Sequence, residues 1–150
     1  MDDVLSPHNK RWFDYATKLA QTSSYDHFNL GAVAVYRGKV IGEGCNSAKT
    51  HPVQEKYNKH RHFRYTNGFT PSSIHAEIKA LTSVPYPIAQ DIKWNQVKLY
   101  IVRLRKITEF GMARPCPSCL ALIRDLGIRD IYYSTNEGFA HERLVYGNEK

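Results

Sequence analysis

The sequence predicts an α/β protein whose helices pack against a central sheet. Two observations carry this prediction: apolar runs of strand length recur along the chain, and they alternate with segments whose apolar residues have helical spacing. This order of elements is typical of an α/β sandwich. The chain has 150 residues, of which 42% are hydrophobic, and this length suits one domain that buries a core. We therefore expect a single domain over residues 1–150.

The first elements are predicted to be a helix and a β-hairpin. Ser6-Pro7 is typical of a helix start, because serine is a good N-cap and proline is tolerated in the first turn. Apolar residues follow this start at helical spacing. Two apolar runs, 30–36 and 40–46, then flank the short turn 37–39, which contains a glycine. This arrangement indicates a hairpin.

The second half of the chain is predicted to alternate helices and strands. Pro85 ends the first of these helices, and Gly127 is a suitable C-cap for the second. The expected elements in chain order are a helix over 74–84, a loop over 85–96, a strand over 97–104, a loop over 105–114, a helix that starts at Cys116, a strand over 128–133 and a last helix from Glu137 to Tyr146.

Residues 47–72 form a long insertion that is rich in histidine, lysine, arginine and aromatic residues. Loops of this length in a compact domain usually have a function or are mobile. Cations beside aromatic rings suit contact with phosphates and stacking of bases. A solvated basic loop is the alternative interpretation. A second zinc at His51, His60 or His62 is a further alternative, although the insertion has no cysteine to complete such a site.

One constellation organises the functional interpretation. The tripeptide His-Ala-Glu at 75–77 is followed by Cys116 and Cys119, which are in CxxC spacing. One imidazole and two thiolates fill three positions of a tetrahedral zinc, and the fourth is left for water, as in catalytic zinc sites. A structural zinc usually has four protein ligands. Residues two apart on an ideal helix point about 200° from each other, so helix geometry alone does not bring His75 and Glu77 together.

In this order and spacing, the residues resemble the signature of the cytidine/deoxycytidylate deaminase superfamily, and the pattern is closest to its deoxycytidylate deaminase-like members. The resemblance implies a three-layer α/β/α sandwich around a five-stranded mixed sheet. It also implies zinc (Zn²⁺) as the cofactor, with His75, Cys116 and Cys119 as its ligands. Glu77 would be the catalytic residue that moves protons. Members of the superfamily are commonly homo-oligomers, so we expect one here.

The resemblance also implies substrate contacts. The family places an asparagine where Asn46 closes the second hairpin strand, and there it binds the sugar and base. The backbone amide of Ala76 would orient reacting groups. The tRNA adenosine deaminases usually have glutamate before the Pro-Cys pair, whereas this chain has Arg114 there. Their segment between the asparagine and the zinc-binding histidine is also short, whereas here it is long. Cations suited to a 5′-phosphate are Arg114, Lys49, Arg61 and Arg64.

The charge balance favours an anionic partner. The formal net charge is +7 and the pI is about 9.4, which suits a nucleotide phosphate or a nucleic acid, although a merely soluble basic surface has the same composition. We expect deamination of cytosine to uracil on a free nucleotide, with dCMP first. The alternatives are a cytosine deaminase that acts on single-stranded DNA or RNA and a non-catalytic, zinc-stabilised binding module.

Cysteine usage favours a reduced compartment. Two of the three cysteines lie in the CxxC pair, which fits a cytoplasmic (intracellular) protein better than a disulfide scaffold. The first residues are acidic and lack an apolar stretch, so they do not resemble a secretory signal. No segment is long enough in apolar residues to predict a membrane span, so we expect no membrane partner.

Overall fold

The elements of the fold lie within residues 4–23, 29–47, 52–57, 75–106 and 109–145, which the computed structural model describes. In chain order they are helix α1 (Pro7–Gln21), strand β1 (Asn29–Tyr36), β2 (Lys39–Cys45), α2 (Pro52–Tyr57), α3 (Ala76–Thr82), α4 (Tyr86–Asp91), a 3₁₀ turn (Trp94–Gln96), β3 (Val97–Lys106), β4 (Glu109–Gly111), α5 (Pro117–Leu126), β5 (Asp130–Ser134) and β6 (Phe139–Arg143).

The strands form one mixed sheet. Five of them lie in the order β2-β1-β3-β5-β6, and the short strand β4 pairs with the end of β3. Strand β1 is antiparallel to β2 and β3, β3 is parallel to β5, and β5 is antiparallel to β6. Because β3 and β5 are parallel, the chain must cross over between them, and α5 makes that crossover. The predicted mixed sheet is confirmed, with β4 as a sixth strand.

Helices cover both faces of this sheet. Successive side chains of a strand point to opposite faces, and in β1 they separate into two clusters. Ala32 and Ala34 pack with residues of α3 and α5, whereas Val33 and Val35 pack with residues of α1. The three-layer α/β/α arrangement predicted from the sequence is therefore confirmed. None of the helices in the described ranges has the length and apolar character needed to cross a membrane.

The predicted ends of several elements agree with the structure. Ser6 caps α1, because its Oγ accepts a hydrogen bond from the backbone N–H of Asn9 at 3.2 Å. In the hairpin turn, both Arg37 and Gly38 have positive φ, at 50° and 78°, as a type I′ turn requires. Gly127 ends α5 in the left-handed conformation with a φ of 95°, which glycine adopts without a steric cost.

The segment 85–96, predicted as a loop, contains α4 and the 3₁₀ turn instead. The preceding helix is also shorter than the predicted 74–84. Pro85 stands at the N-cap of α4, and a second proline, Pro87, lies within its first turn. Proline is tolerated there because the first backbone N–H groups of a helix have no intrahelical partner. The two prolines therefore begin a new helix, whereas the prediction used Pro85 only to end the previous one.

The predicted last helix over 137–146 is wrong, because this part of the chain contains strand β6. The backbone N–H of Thr135 donates to the carbonyl of Gly138 at 2.7 Å, and this turn reverses the chain beside β5. The side chains then follow a period of two. Phe139 packs in the α1-side cluster, whereas Ala140 packs in the cluster on the other face. Pairing with β5 overrides the apparent helical spacing.

Glycines allow the closest approaches between helices and sheet. A Cβ at Gly31 would lie 2.2 Å from the carbonyl oxygen of Ala16 in α1. On the opposite face, a Cβ at Gly42 would lie 2.2 Å from the carbonyl oxygen of Ala80 in α3. A backbone atom cannot move out of such a contact as easily as the end of a flexible side chain can. The positions of α1 and α3 on the two faces thus depend on glycine in β1 and β2.

Gly31→Ala should lower the free energy of unfolding by about 1–3 kcal/mol, because the added methyl group overpacks the interface between α1 and β1. Urea denaturation of the variant and the parent protein measures the difference. Lys39→Ala is the matched control, since Lys39 is an exposed residue of the same hairpin and such substitutions stay within about 0.5 kcal/mol. Equal stability of the Gly31 variant and the control would show that α1 can move away from β1 without cost.

Candidate metal centre and active site

The candidate zinc ligands stand at the starts of two helices. His75 is the N-cap residue of α3 and Cys116 is the N-cap residue of α5, and both have extended backbones with ψ angles of 152° and 168°. Neither side chain makes a capping hydrogen bond to its own helix. Cys119 lies in the first turn of α5. The positive end of the α5 dipole therefore faces the two sulfur atoms and favours their thiolate forms.

The three ligand atoms converge to one point. The Nδ1 atom of His75 lies 3.3 Å from the Sγ atom of Cys119 and 3.5 Å from the Sγ atom of Cys116. All three atoms lie within 4.8 Å of one another. A tetrahedral zinc with ordinary Zn–N and Zn–S bond lengths holds such a nitrogen and sulfur about 3.5 Å apart. The donor set therefore fits zinc, and the three ligands found among the described residues leave a fourth position for another group.

The two thiols have opposite pKa shifts. The pKa of Cys116 is lowered to about 3, first by a hydrogen bond from Cys119 and further by the neighbouring His75 and Ser118, although burial opposes this. Burial raises the pKa of Cys119, and its hydrogen bond to Cys116 adds to the effect. Burial of Cys119 and the hydrogen bond between the two sulfur atoms thus favour a proton on Cys119. A divalent cation would replace that proton and bind both sulfur atoms as thiolates.

Glu77 is a buried carboxyl group beside this set, with 3% of its surface exposed. Burial raises its pKa, while the nearby His75 lowers it to a smaller extent. The regular helix wheel did not predict that these two residues would face one site. They converge because His75 precedes the helix with an extended backbone, whereas Glu77 lies in its first turn. The departure from helical geometry at the N-cap therefore places the carboxyl group next to the ligands.

Two polar residues that sequence reasoning missed also contact the ligand segments. Gln54 of α2 is fully buried, and its Oε1 atom accepts a hydrogen bond from the backbone N–H of His75 at 2.9 Å. Its Nε2 atom donates to the Oγ atom of Ser118 at 3.4 Å, and that Oγ atom lies 3.0 Å from the Sγ atom of Cys116. Ser118 could have been identified from the sequence, because it lies inside the CxxC motif. Nothing in the basic insertion distinguished Gln54 in the same way.

Asn46 is buried at the end of β2, and its side-chain oxygen accepts hydrogen bonds from two groups. Its Oδ1 atom accepts from the backbone N–H of Leu30 at 2.9 Å and from the hydroxyl of Ser23 at 2.6 Å. These contacts fix the orientation of its amide group. Ala76, the first residue of α3, is buried directly between His75 and Glu77 in the chain. The substrate contacts of Asn46 and Ala76 stay predictions.

Arg114 is engaged in an ion pair. Its Nε and Nη2 atoms each donate to one carboxylate oxygen of Glu142 at 2.9 Å, and 45% of the arginine side chain remains exposed. Tyr133 also donates to Glu142, at 3.2 Å. A phosphate at this position would have to share the guanidinium with Glu142. The other predicted phosphate ligands and the histidines considered for a second zinc lie outside the described residues, namely Lys49, Arg61, Arg64, His51, His60 and His62.

The sequence model of one protein family spans most of the chain. Residues 6–135 match the family described as the cytidine and deoxycytidylate deaminase zinc-binding region. The chain belongs to this deaminase family. Membership indicates a hydrolase that deaminates a nucleoside or nucleotide, and zinc is its cofactor, with His75, Cys116 and Cys119 placed to bind it. No curated protein sequence matches the chain.

Solved structures of other deaminases have a similar fold. A dCMP deaminase from the cyanophage S-TIM5, in complex with dCMP and dUMP, is 22% identical, covers 87% of this chain and 84% of its own, and has a TM-score of 0.56. A cytidine deaminase from Burkholderia pseudomallei is 18% identical, covers 89% of this chain and 91% of its own, and also has a TM-score of 0.56. At these identities, the similarity concerns the fold that this deaminase family shares.

Cys119→Ser should abolish tight zinc binding, because it removes one of three protein ligands and a hydroxyl is a poor zinc ligand compared with a thiolate. Elemental analysis after gel filtration measures the zinc content of each chain. Cys45→Ser is the matched control, since Cys45 lies in β2 and makes a contact with Thr22 instead. Equal zinc content in the two variants would contradict the ligand assignment.

The pH dependence of stability should report the ion pair between Glu142 and Arg114. A hydrogen bond from Arg114 lowers the pKa of Glu142, although burial opposes this shift. A depressed folded-state pKa adds stability above the unfolded pKa of about 4.3, and this stability is lost as the pH falls through the folded-state value. Glu142→Gln should therefore cost up to about 1 kcal/mol at pH 7, since the pair is partly exposed, and nothing at low pH.

Denaturation of both proteins from pH 7 to pH 2 measures this difference. Glu137→Gln, which removes an exposed carboxylate from the same region, is the control for the change in net charge. A Glu142→Gln penalty that stays constant over the whole pH range would show that the substitution acts through packing instead of charge.

Proposed function

We propose that this protein catalyses the zinc-dependent hydrolytic deamination of cytosine to uracil on a free nucleotide, with dCMP as the first candidate, and releases ammonia. One observation carries the proposal: a buried glutamate with a raised pKa, Glu77, stands beside three zinc ligands, and the described residues add no fourth ligand to them. A closed structural zinc would need a fourth protein ligand and would not need a proton carrier. Membership of the deaminase family supports the same reaction class.

The reaction needs an activated water and a group that moves its protons. Water is a poor nucleophile, and zinc held by His75, Cys116 and Cys119 would lower the pKa of a water molecule toward about 7. The Glu77 carboxylate accepts a proton from the attacking water and delivers it to the ring nitrogen of cytosine. It then accepts the second proton, from the hydroxyl group that the attack has formed on the ring carbon, and delivers it to the exocyclic amine as the C–N bond breaks. Water and cytosine are consumed, and uracil and ammonia are formed, so the carboxyl group returns to its starting state.

Burial prepares Glu77 for both directions of proton transfer. A general acid–base group works best when its pKa lies near the working pH, and an exposed glutamate titrates well below that value. The buried position raises the pKa of Glu77, and the positive charge of a bound zinc would act against this rise. The balance between burial and the cation thus allows the carboxyl group to gain and lose a proton during one turnover.

Several observations support a free cytosine nucleotide as the substrate. The insertion at 47–72 carries many cations, and the net charge of +7 attracts a phosphate. The similar dCMP deaminase structure holds dCMP and dUMP, which supports a nucleotide substrate here. Arg114 keeps one nitrogen outside its two bonds to Glu142. We also propose a homo-oligomer and an intracellular location, in which the cysteines stay reduced.

The second candidate is a cytosine deaminase that acts on single-stranded DNA or RNA. The basic insertion interleaved with aromatic residues favours it, because single strands are bound by cations and stacked on rings. Binding of such a strand would weaken steeply with salt as counterions are released. A shallow salt dependence would favour the mononucleotide. The third candidate, a non-catalytic binding module, predicts no turnover of any substrate.

Ammonia release by the zinc-loaded protein distinguishes these candidates. The assay compares dCMP, deoxycytidine, CMP, cytidine and a single-stranded DNA that contains cytosine. The proposal predicts the highest kcat/KM for dCMP, with much lower values for the nucleosides that lack the phosphate. Turnover of the oligonucleotide alone would replace the proposal with the second candidate. Turnover of the nucleosides at the same rate as dCMP would remove the phosphate site from the proposal.

Glu77→Gln should lower kcat by at least about 10²-fold while zinc remains bound, because proton transfer by a positioned group contributes about 10²–10⁴-fold. The amide has the same shape as the carboxyl group but cannot accept and return the proton. Turnover of the best substrate and zinc content are measured on the same preparation. Glu137→Gln is the control, since Glu137 is exposed near the β5–β6 turn. Unchanged activity of a zinc-loaded Glu77 variant would contradict the catalytic assignment.

A further inference from the structure

Gln54 is a polar side chain in an unusual position. It belongs to α2 and is fully buried against the starts of α3 and α5. Its two hydrogen-bond partners lie 21 and 64 positions later in the chain. A buried amide that loses a hydrogen-bond partner destabilises the folded protein. Apolar residues of similar volume would fill this space without that risk. The presence of an amide at this position is therefore explained by its two hydrogen-bond partners.

The direction of both hydrogen bonds follows from the backbone. The N–H group of His75 can only donate, so the carbonyl oxygen Oε1 of Gln54 must face it at 2.9 Å. The Nε2 group then faces the Oγ atom of Ser118 at 3.4 Å and donates to it. An amide has one end of each kind, and each end contacts a different ligand segment. No rotation of the amide group would satisfy both partners equally well.

Ser118 carries the interaction on to a ligand atom. Its hydroxyl has one proton, and its oxygen already accepts from Gln54. The proton is therefore free to point to the Sγ atom of Cys116, which lies 3.0 Å away. One buried amide thus contacts His75 through the backbone and Cys116 through a hydroxyl group. These two residues are 41 positions apart in the chain.

Helix α2 is attached to α5 at a second point that is remote from the ligands. The hydroxyl of Tyr57 donates to a carboxylate oxygen of Asp125 at 2.6 Å. Asp125 lies near the end of α5, whereas Ser118 lies near its start. Helix α2 therefore lies along α5, with Gln54 at the ligand end and Tyr57 at the other end. This second contact can hold α2 in place without any contact with the zinc ligands.

We infer that Gln54 is a positioning residue that holds His75 and Cys116 in the geometry of the zinc site before the metal binds. This inference rests on the zinc-binding part of the proposed function and extends it to a residue within the insertion. The amide fixes the backbone of one ligand and, through Ser118, the sulfur atom of another. Partners of this kind, one shell outside the metal, contribute about 10–100-fold to metal affinity.

The test compares two variants of α2. Gln54→Met keeps the length and approximate volume of the side chain but removes both polar ends. Tyr57→Phe removes only the hydroxyl that contacts Asp125 at the other end of the helix. The probe is Zn²⁺ alone, and its dissociation constant is measured by competition with a chromophoric chelator. Thermal unfolding of the metal-free proteins is measured in parallel.

Gln54→Met should weaken zinc binding about 10–100-fold, whereas Tyr57→Phe should change it by less than about threefold, although both variants remove a contact of α2. Ser118→Ala should weaken zinc binding less than Gln54→Met does, because the bond to His75 remains. The variant that carries both Gln54→Met and Ser118→Ala should lose less zinc affinity than the product of the two single losses, since both residues belong to one chain of hydrogen bonds.

A purely structural role would give a different result. In that case Gln54→Met and Tyr57→Phe would lower zinc affinity in proportion to their effects on the melting temperature of the metal-free protein, and this would overturn the inference. Full zinc affinity in the Gln54 variant would overturn it as well. If Gln54→Met does not fold, Ser118→Ala is tested alone. Unchanged zinc affinity in this variant would refute the hydrogen-bonded connection from Gln54 through Ser118 to Cys116. These zinc affinities are measured without any substrate. A failure of the protein to deaminate nucleotides would therefore count against the proposed function but not against the role of Gln54.

Discussion

An imidazole and two thiolates must meet within bonding distance of one cation, although they come from segments 41 positions apart. The fold meets this requirement with two helix starts. Helix α3 packs on β1 and β2, and α5 makes the crossover from β3 to β5. Glycines 31 and 42 allow the helices on the two faces to approach the sheet closely. The sheet therefore acts as the rigid frame that fixes the distance between the ligand segments.

The same arrangement controls the charges of the site. Two thiolates and a carboxylate in one buried place repel one another and lose their hydration. A divalent cation reverses this balance, because it binds the sulfur atoms and lowers the cost of a charged Glu77. In line with this, burial raises the pKa values of Cys119 and Glu77, whereas a hydrogen bond from Cys119 lowers that of Cys116. Metal binding and proton release are expected to be coupled for this reason.

The metal site was the most predictable part of the molecule. Coordination chemistry restricts zinc to a few residue types, and the CxxC spacing places two of them in one helical turn, so the residues could be identified without coordinates. The starts of α1 and α5 were also predictable, because Ser6, Pro7 and Pro117 have local effects on the backbone, whereas the start of α4 at Pro85 was missed. The convergence of His75 and Glu77 was not predictable from a helical wheel, since it depends on the extended N-cap residue.

Features that depend on distant partners were missed or stay open. Strand β6 forms because β5 lies beside it, and its own sequence has helical spacing as well. The role of Gln54 depends on contacts with residues 21 and 64 positions away. The ion pair of Arg114 with Glu142 across 28 positions could not be read from the charge pattern, which indicated only that a cation is present.

The attachment of α2 at two points has a consequence for how this protein family can diversify. The stretch 58–74 begins after a helix that is bound to α5 and ends at a zinc ligand. The described residues on either side of this stretch, Tyr57 and His75, are thus held by contacts with the frame of the site. The entropy of closing a loop grows only slowly with its length, so sequence can be added to or exchanged within such a stretch at small cost. The length and composition of the sequence between Tyr57 and His75 can therefore change while the contacts that hold the zinc ligands are kept.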